Sequence, residues 1–118
     1  MLTVQTRDGG TWFKPGETIE GTVSWHLDED AEAVEVRLFW YTQGKGSQDV
    51  EVVDTRPMAR PERSGTMSFE FEVPRGPYSF SGKLITLSWA IELVVQPNSA
   101  TERLDLKIGP QPVEIDIS

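Results

Sequence analysis

Few residues in this chain could carry chemistry, and they are scattered. His26 is the only histidine, and there is no cysteine. A nucleophile–base–orienter set therefore has one candidate base and no thiol, and no triad signature surrounds it. The lack of cysteine also excludes a disulfide framework and a thiolate zinc site. Beside His26 runs Asp28-Glu29-Asp30, with Glu32 beyond. Calcium needs several oxygens converging on one point. This run has neither the spacing nor the glycine of an EF-hand loop, and it reads as a solvated acidic connection. Glu20, Glu35, Glu70, Glu72 and Glu92 sit between apolar residues in alternating stretches. Paired carboxylates do acid–base work when close and differently environed. Spread along strands, they more simply keep a sheet face wet and free of aggregation. No catalytic residue, cofactor-binding residue, cofactor or metal ligand is assigned.

Arg56, Arg60 and Arg63 make the only basic cluster, with Glu62 among them. Guanidinium forks match phosphate and carboxylate, so this stretch is a candidate loop for capturing an acidic or phosphorylated peptide. The competing reading is a loop whose arginines answer the chain's own acidic surface. Trp25, Trp40 and Trp89 all fall on phases that read as inward-facing, where a buried indole is ordinary sandwich core. Trp12 lies near a turn and is a candidate for stacking or for packing at the rim.

These side chains must be positioned by strands. The longest is Lys83–Gln96, where Ile85, Leu87, Trp89, Ile91, Leu93 and Val95 form a period-two apolar row. An extended strand places that row on one face and Leu84, Thr86, Ser88, Ala90, Glu92 and Val94 on the other. Thr18–Leu27 alternates as strictly, with Gly21 marking a bulge or a close backbone approach. Lys14-Pro15-Gly16 predicts a type II turn, because glycine takes positive φ at its third position. Leu2–Thr6 and Thr11–Phe13 are short strands. Val34–Tyr41 is another strand, and its second phase turns aromatic at Phe39 and Tyr41, which predicts cover on both faces there. Gln43–Gln48 reads as a hairpin loop, Asp49–Thr55 as a strand and Arg56–Gly65 as a loop. Met67–Val73, Leu104–Ile108 and Val113–Ile117 complete the set. No window keeps helical spacing better than alternation. The pattern predicts an all-β, antiparallel sandwich or barrel of about eight strands in a single domain over residues 1–118, with an immunoglobulin-like sandwich the leading expectation.

A net charge of −8 argues against nucleic acid and anionic membrane surfaces, both of which need a basic stripe. The run Leu84–Val95 is too short to span a bilayer and carries Glu92, and the chain opens on no secretory signal. A soluble, cytoplasmic protein is expected.

Three pieces carry a resemblance. The first is Lys14-Pro15-Gly16-Glu17-Thr18-Ile19-Glu20-Gly21-Thr22-Val23. The second is Val34-Glu35-Val36-Arg37-Leu38 with a long hairpin after it. The third is Phe69-Glu70-Phe71-Glu72-Val73-Pro74, then Pro77-Tyr78-Ser79-Phe80-Ser81-Gly82, then Ile85 through Leu93. In this order they resemble the arrestin-like family: arrestins, the arrestin-like retromer subunit and bacterial sporulation-control proteins. That resemblance implies an arrestin-like sandwich acting as a scaffold or adaptor and not as an enzyme. Members usually have two lobes, and this chain is long enough for one. Binding across two lobes, and the polar core and phosphate sensor of arrestins, are therefore not carried over.

The leading expectation is a non-enzymatic interaction module with a protein partner or self-association. Its surface would be an exposed strand edge or the face bearing Leu84, Thr86, Ser88 and Ala90. The alternative is a sandwich that binds carbohydrate or calcium through Trp12, Tyr41, Tyr78 and the acidic run. An enzyme is the weakest of the three, because the usual machinery is missing.

Overall fold

A computed structural model describes residues 1–44, 47–81, 85–97, 100–110 and 115–116. Alternation becomes strand wherever apolar residues recur at every second position. The strands are β1 (Leu2–Thr6), β2 (Trp12–Phe13), β3 (Thr18–His26), β4 (Ala33–Gly44), β5 (Ser47–Ala59), β6 (Ser64–Glu72), β7 (Phe80–Ser81), β8 (Ile85–Gln96), β9 (Ala100–Ile108) and β10 (Ile115–Asp116). No helix occurs among the described residues, so none crosses a membrane. Among the described residues ten strands stand where about eight were expected, and three of the ten are two-residue pieces.

The strands form two sheets. The small sheet runs β1-β3-β6 and is antiparallel throughout. In the large sheet β8 is central. β4 lies along one side of it and β5 lies beyond β4; β9 and β7 share the other side. The short pairs β2–β9 and β7–β10 are parallel. The inner faces meet in one core. Ile19, Val23, Trp25, Phe69 and Phe71 come from the small sheet, and Val34, Val36, Leu38, Leu87, Trp89, Ile91 and Leu93 from the large one. The shortest dimension of the molecule, 19 Å, suits two sheets about 10 Å apart with a layer of side chains outside each.

The loops are fixed by specific bonds. Gly16 takes φ 86°, and Glu17 N donates to Lys14 O at 3.1 Å, which is the turn expected at Lys14-Pro15-Gly16. The same turn is tied to the end of β6: Gly16 N donates to Val73 O and Val73 N to Glu17 O. The close approach expected at Gly21 is present. A Cβ there would collide with the carbonyl oxygen of Gln5 and the ring of Phe69.

Three expectations are corrected. Arg56–Gly65 is not a loop: β5 continues to Ala59 and β6 begins at Ser64. Pro57 is accommodated because β5 is an edge strand, where a missing N–H removes no ladder bond on the outer side. The hairpin is also tighter than Gln43–Gln48, since strand pairing extends to Gly44↔Ser47. Finally, Ile85 is 46% exposed although it shares the inward phase, because it lies at the very start of β8, away from the core. Lys83, Leu84, Val113 and Ile117 lie outside the described residues.

A candidate partner surface on the large sheet

The candidate surface is the outer face of the large sheet where it runs to the β5 edge. Register builds it. β4 pairs Phe39 with Ala90 of β8 and Tyr41 with Ser88; on its other side it pairs Phe39 with Val52 of β5 and Tyr41 with Val50. Paired residues share a face, so Val52, Phe39 and Ala90 form one row and Val50, Tyr41 and Ser88 the next. The Phe39 and Tyr41 rings stack at 5.9 Å between centroids and 30° between planes. With Ala90 they form a second buried cluster, separate from the main core. This is the two-sided cover expected from the aromatic phase of β4.

Beyond these rings the cover stops. Val50 is 58% exposed, Val52 46% and Val53 37%. With Arg37, Gln43, Gln48, Glu92 and Arg103 the rings and the first two valines line a shallow depression of about 270 Å³. Arg103 lies over the Tyr41 ring at 5.2 Å and pairs with Asp105 at 3.2 Å. Arg37 gives two hydrogen bonds to Glu35 Oε2, at 2.8 and 3.0 Å. Val53 is the extra residue of a β-bulge, since Leu38 pairs with Asp54 while Phe39 pairs with Val52. Among the described residues no strand pairs with the other side of β5, so that edge keeps unpaired N–H and C=O groups.

The sequence-derived site residues fall as follows. Thr86 and Ser88 are half-buried on this outer face, and Ala90 is fully covered beside Phe39. Leu84 lies outside the described residues. Arg56 sits on β5, where it bonds to Asp54 at 2.7 Å and to the Glu70 main-chain oxygen at 3.2 Å, over the Phe71 ring. Arg63 pairs with Asp30 at 2.8 Å. Arg60 takes a positive φ of 50° in the short connection to β6, and its N–H donates to Glu32 O. Two of the three arginines thus already hold carboxylates of the same chain. The valines of β5 were not singled out from sequence. The signal was there in the hairpin register, which places Val50 and Val52 beside Tyr41 and Phe39.

Ser64 Oγ lies 2.5 Å from His26 Nδ1, a base–hydroxyl pair that sequence spacing did not disclose. It is exposed, and among the described residues no carboxylate orients the imidazole. Asp28, Glu29 and Asp30 share a depression of about 380 Å³ with His26. No three acidic or histidine side chains converge on a metal-sized site among the described residues. The widest depression described, about 860 Å³, lies over the small sheet's outer face and includes Gln5, Arg7, Glu20, Thr22, Ser68 and Glu70. There Glu20 bonds to Arg7 at 2.7 Å and holds its guanidinium above the usual range, so that cation is already matched.

The indoles act as staples. Trp25 donates to Glu62 O at 2.8 Å, Trp12 to Gly109 O at 3.0 Å and Trp89 to Pro77 O at 2.9 Å. Each ties a non-strand segment to a strand. Trp25 and Trp89 are core residues, as their phase predicted, whereas Trp40 is only half-buried at the margin. Trp12 also lies under Lys14, at 5.6 Å.

Neither a family model nor a curated protein matches the chain. Among solved structures it is similar to Spo0M, a sporulation control protein from Bacillus subtilis, with a TM-score of 0.63 and 14% identity. The match covers 94% of this chain and 49% of that one, so the chain spans about half the length of the structure it matches. The likeness shows the fold, an arrestin-like β-sandwich.

Proposed function

We propose that residues 1–118 form a single arrestin-like lobe that works as a non-enzymatic interaction or scaffold module in the cytoplasm. Its partner would dock on the β5 edge and the adjoining outer face. The observation that carries this reading is the pairing of a strand edge, open among the described residues, with two exposed valines, Val50 and Val52, beside the Phe39–Tyr41 stack. A strand edge binds an extended segment through main-chain hydrogen bonds, and neighbouring side-chain rows give selectivity. The alternative of carbohydrate or calcium binding is less well supported. None of the four depressions described is lined by more than one of Trp12, Tyr41 and Tyr78.

The test is selection from a displayed library of random peptides, followed by amide-shift mapping of the ligands recovered. Shifts are expected at residues 49–53 and around Phe39 and Tyr41, and Val52→Lys should abolish binding without lowering the melting temperature. Ligands that map only to the small sheet would overturn the reading. So would a melting temperature raised by calcium and not by any peptide.

A further inference from the structure

The geometry points to a particular class of ligand for the β5 edge: a short extended peptide in which apolar residues alternate with lysine or arginine. This rests on the docking edge proposed above and adds the chemistry of what docks there.

An added strand lies about 4.8 Å from β5, its side chains alternating between faces in step with those of β5. Incoming residues beside Val50 and Val52 would extend the two outer rows already made by Tyr41 with Ser88 and Phe39 with Ala90. Apolar side chains there would cover valines now 58% and 46% exposed. The residues between them would fall beside Asp49 and Glu51. Both are exposed, and neither carboxylate has an ion pair or hydrogen bond among the described residues. Asp54, further along, is already held by Arg56. Among the described residues the unanswered charge of this edge is therefore negative and confined to the stretch that carries the exposed valines. Opposite charges across neighbouring strands stabilise pairing, and like charges oppose it. A phosphopeptide is thus rejected. So is a second copy of β5, which would bring its own Asp49 and Glu51 to the same edge. The bulge at Val53 and the missing N–H of Pro57 limit regular addition to the stretch before them, so the ligand is short.

Three labelled peptides test this by fluorescence anisotropy at neutral pH: alternating lysine–valine, alternating glutamate–valine, and the lysine–valine peptide with alternate backbone N-methyl groups. The lysine–valine peptide should bind and shift amides at 49–53. The glutamate version should bind at least about tenfold more weakly, and N-methylation should abolish binding. The double variant Asp49→Lys, Glu51→Lys should reverse the preference. Equal binding of the lysine–valine peptide to the double variant overturns the charge class yet leaves the docking edge standing. Full binding of the N-methylated peptide overturns strand addition, since only diffuse attraction would remain. Absence of binding by all three, with library ligands mapping elsewhere, overturns both readings. Concentration-dependent shifts at 49–53 in the protein alone would make a second copy the occupant and overturn the proposal.

Discussion

Trp89 shows how much one residue can hold. Its side chain is fully buried between the sheets, and its indole N–H donates to Pro77 O at 2.9 Å. Truncation to alanine removes core volume and leaves that carbonyl without its donor. Trp89→Ala should cost about 3–5 kcal/mol, enough to unfold a marginally stable domain, and loss of the cooperative transition in a thermal melt monitored by circular dichroism checks it. Gly21 holds its place by having no side chain. A methyl group there would press on the Gln5 carbonyl and the Phe69 ring, and the neighbours on both sides are packed. Gly21→Ala should cost about 1–3 kcal/mol through overpacking, read as a lower urea midpoint with an unchanged slope. Gly65 is a similar case: a Cβ there would stand 2.6 Å from Trp25 Cζ2, so the indole can lie across the backbone of β6. Alternation alone marked Gly21 as a special position. Nothing local marked Gly65, because it stands at the start of β6, before the alternating run from Met67 begins.

At the scale of elements, β8 organises the large sheet, since β4, β9 and β7 all pair with it. Its outer face tests the docking surface from the side opposite β5. Ser88→Lys should leave the fold intact, because Ser88 is only half-buried, and should weaken docking next to Tyr41. Far-ultraviolet circular dichroism and peptide anisotropy on the same sample check this; unchanged binding would count against an interface on this face. The long strands could be read from sequence because burial on one face enforces period two. The ends of β5 could not. Arg56 and Pro57 disguise a strand whose pairing with β4 is fixed by its partner and not by its own propensity. The tie between the Lys14–Glu17 turn and Val73 explains why two of the pieces carrying the resemblance occur together, although residues 24–68 separate them. Likewise Pro77 and Ser79 read as a distinctive approach to β8. The physical reason appears only in three dimensions: Ser79 Oγ accepts from Ile108 N at 3.1 Å and Ser79 N donates to Ile108 O at 2.9 Å, closing β9 against that approach.

At the scale of the whole molecule, charge decides what stays apart. A net charge of −8 and the exposed Asp49 and Glu51 of β5 would oppose edge-to-edge pairing of two copies at neutral pH. Lowering the pH toward the sequence isoelectric point of about 4.6 removes the net negative charge and with it the repulsion. Self-association should then rise, and dynamic light scattering at neutral pH and near that point checks it; one unchanged small species at both would contradict this account of the edge. The three indole staples give the molecule a set of built-in reporters. Each of Trp12, Trp25 and Trp89 has its N–H engaged by a carbonyl of a different segment, whereas Trp40 has no such acceptor among the described residues. Four indole resonances should therefore appear in a nitrogen–proton spectrum, three slow to exchange with deuterium and one fast. If a ligand or a substitution frees one of these segments, the exchange of a single, assignable signal should show which one came loose while the sandwich stayed whole.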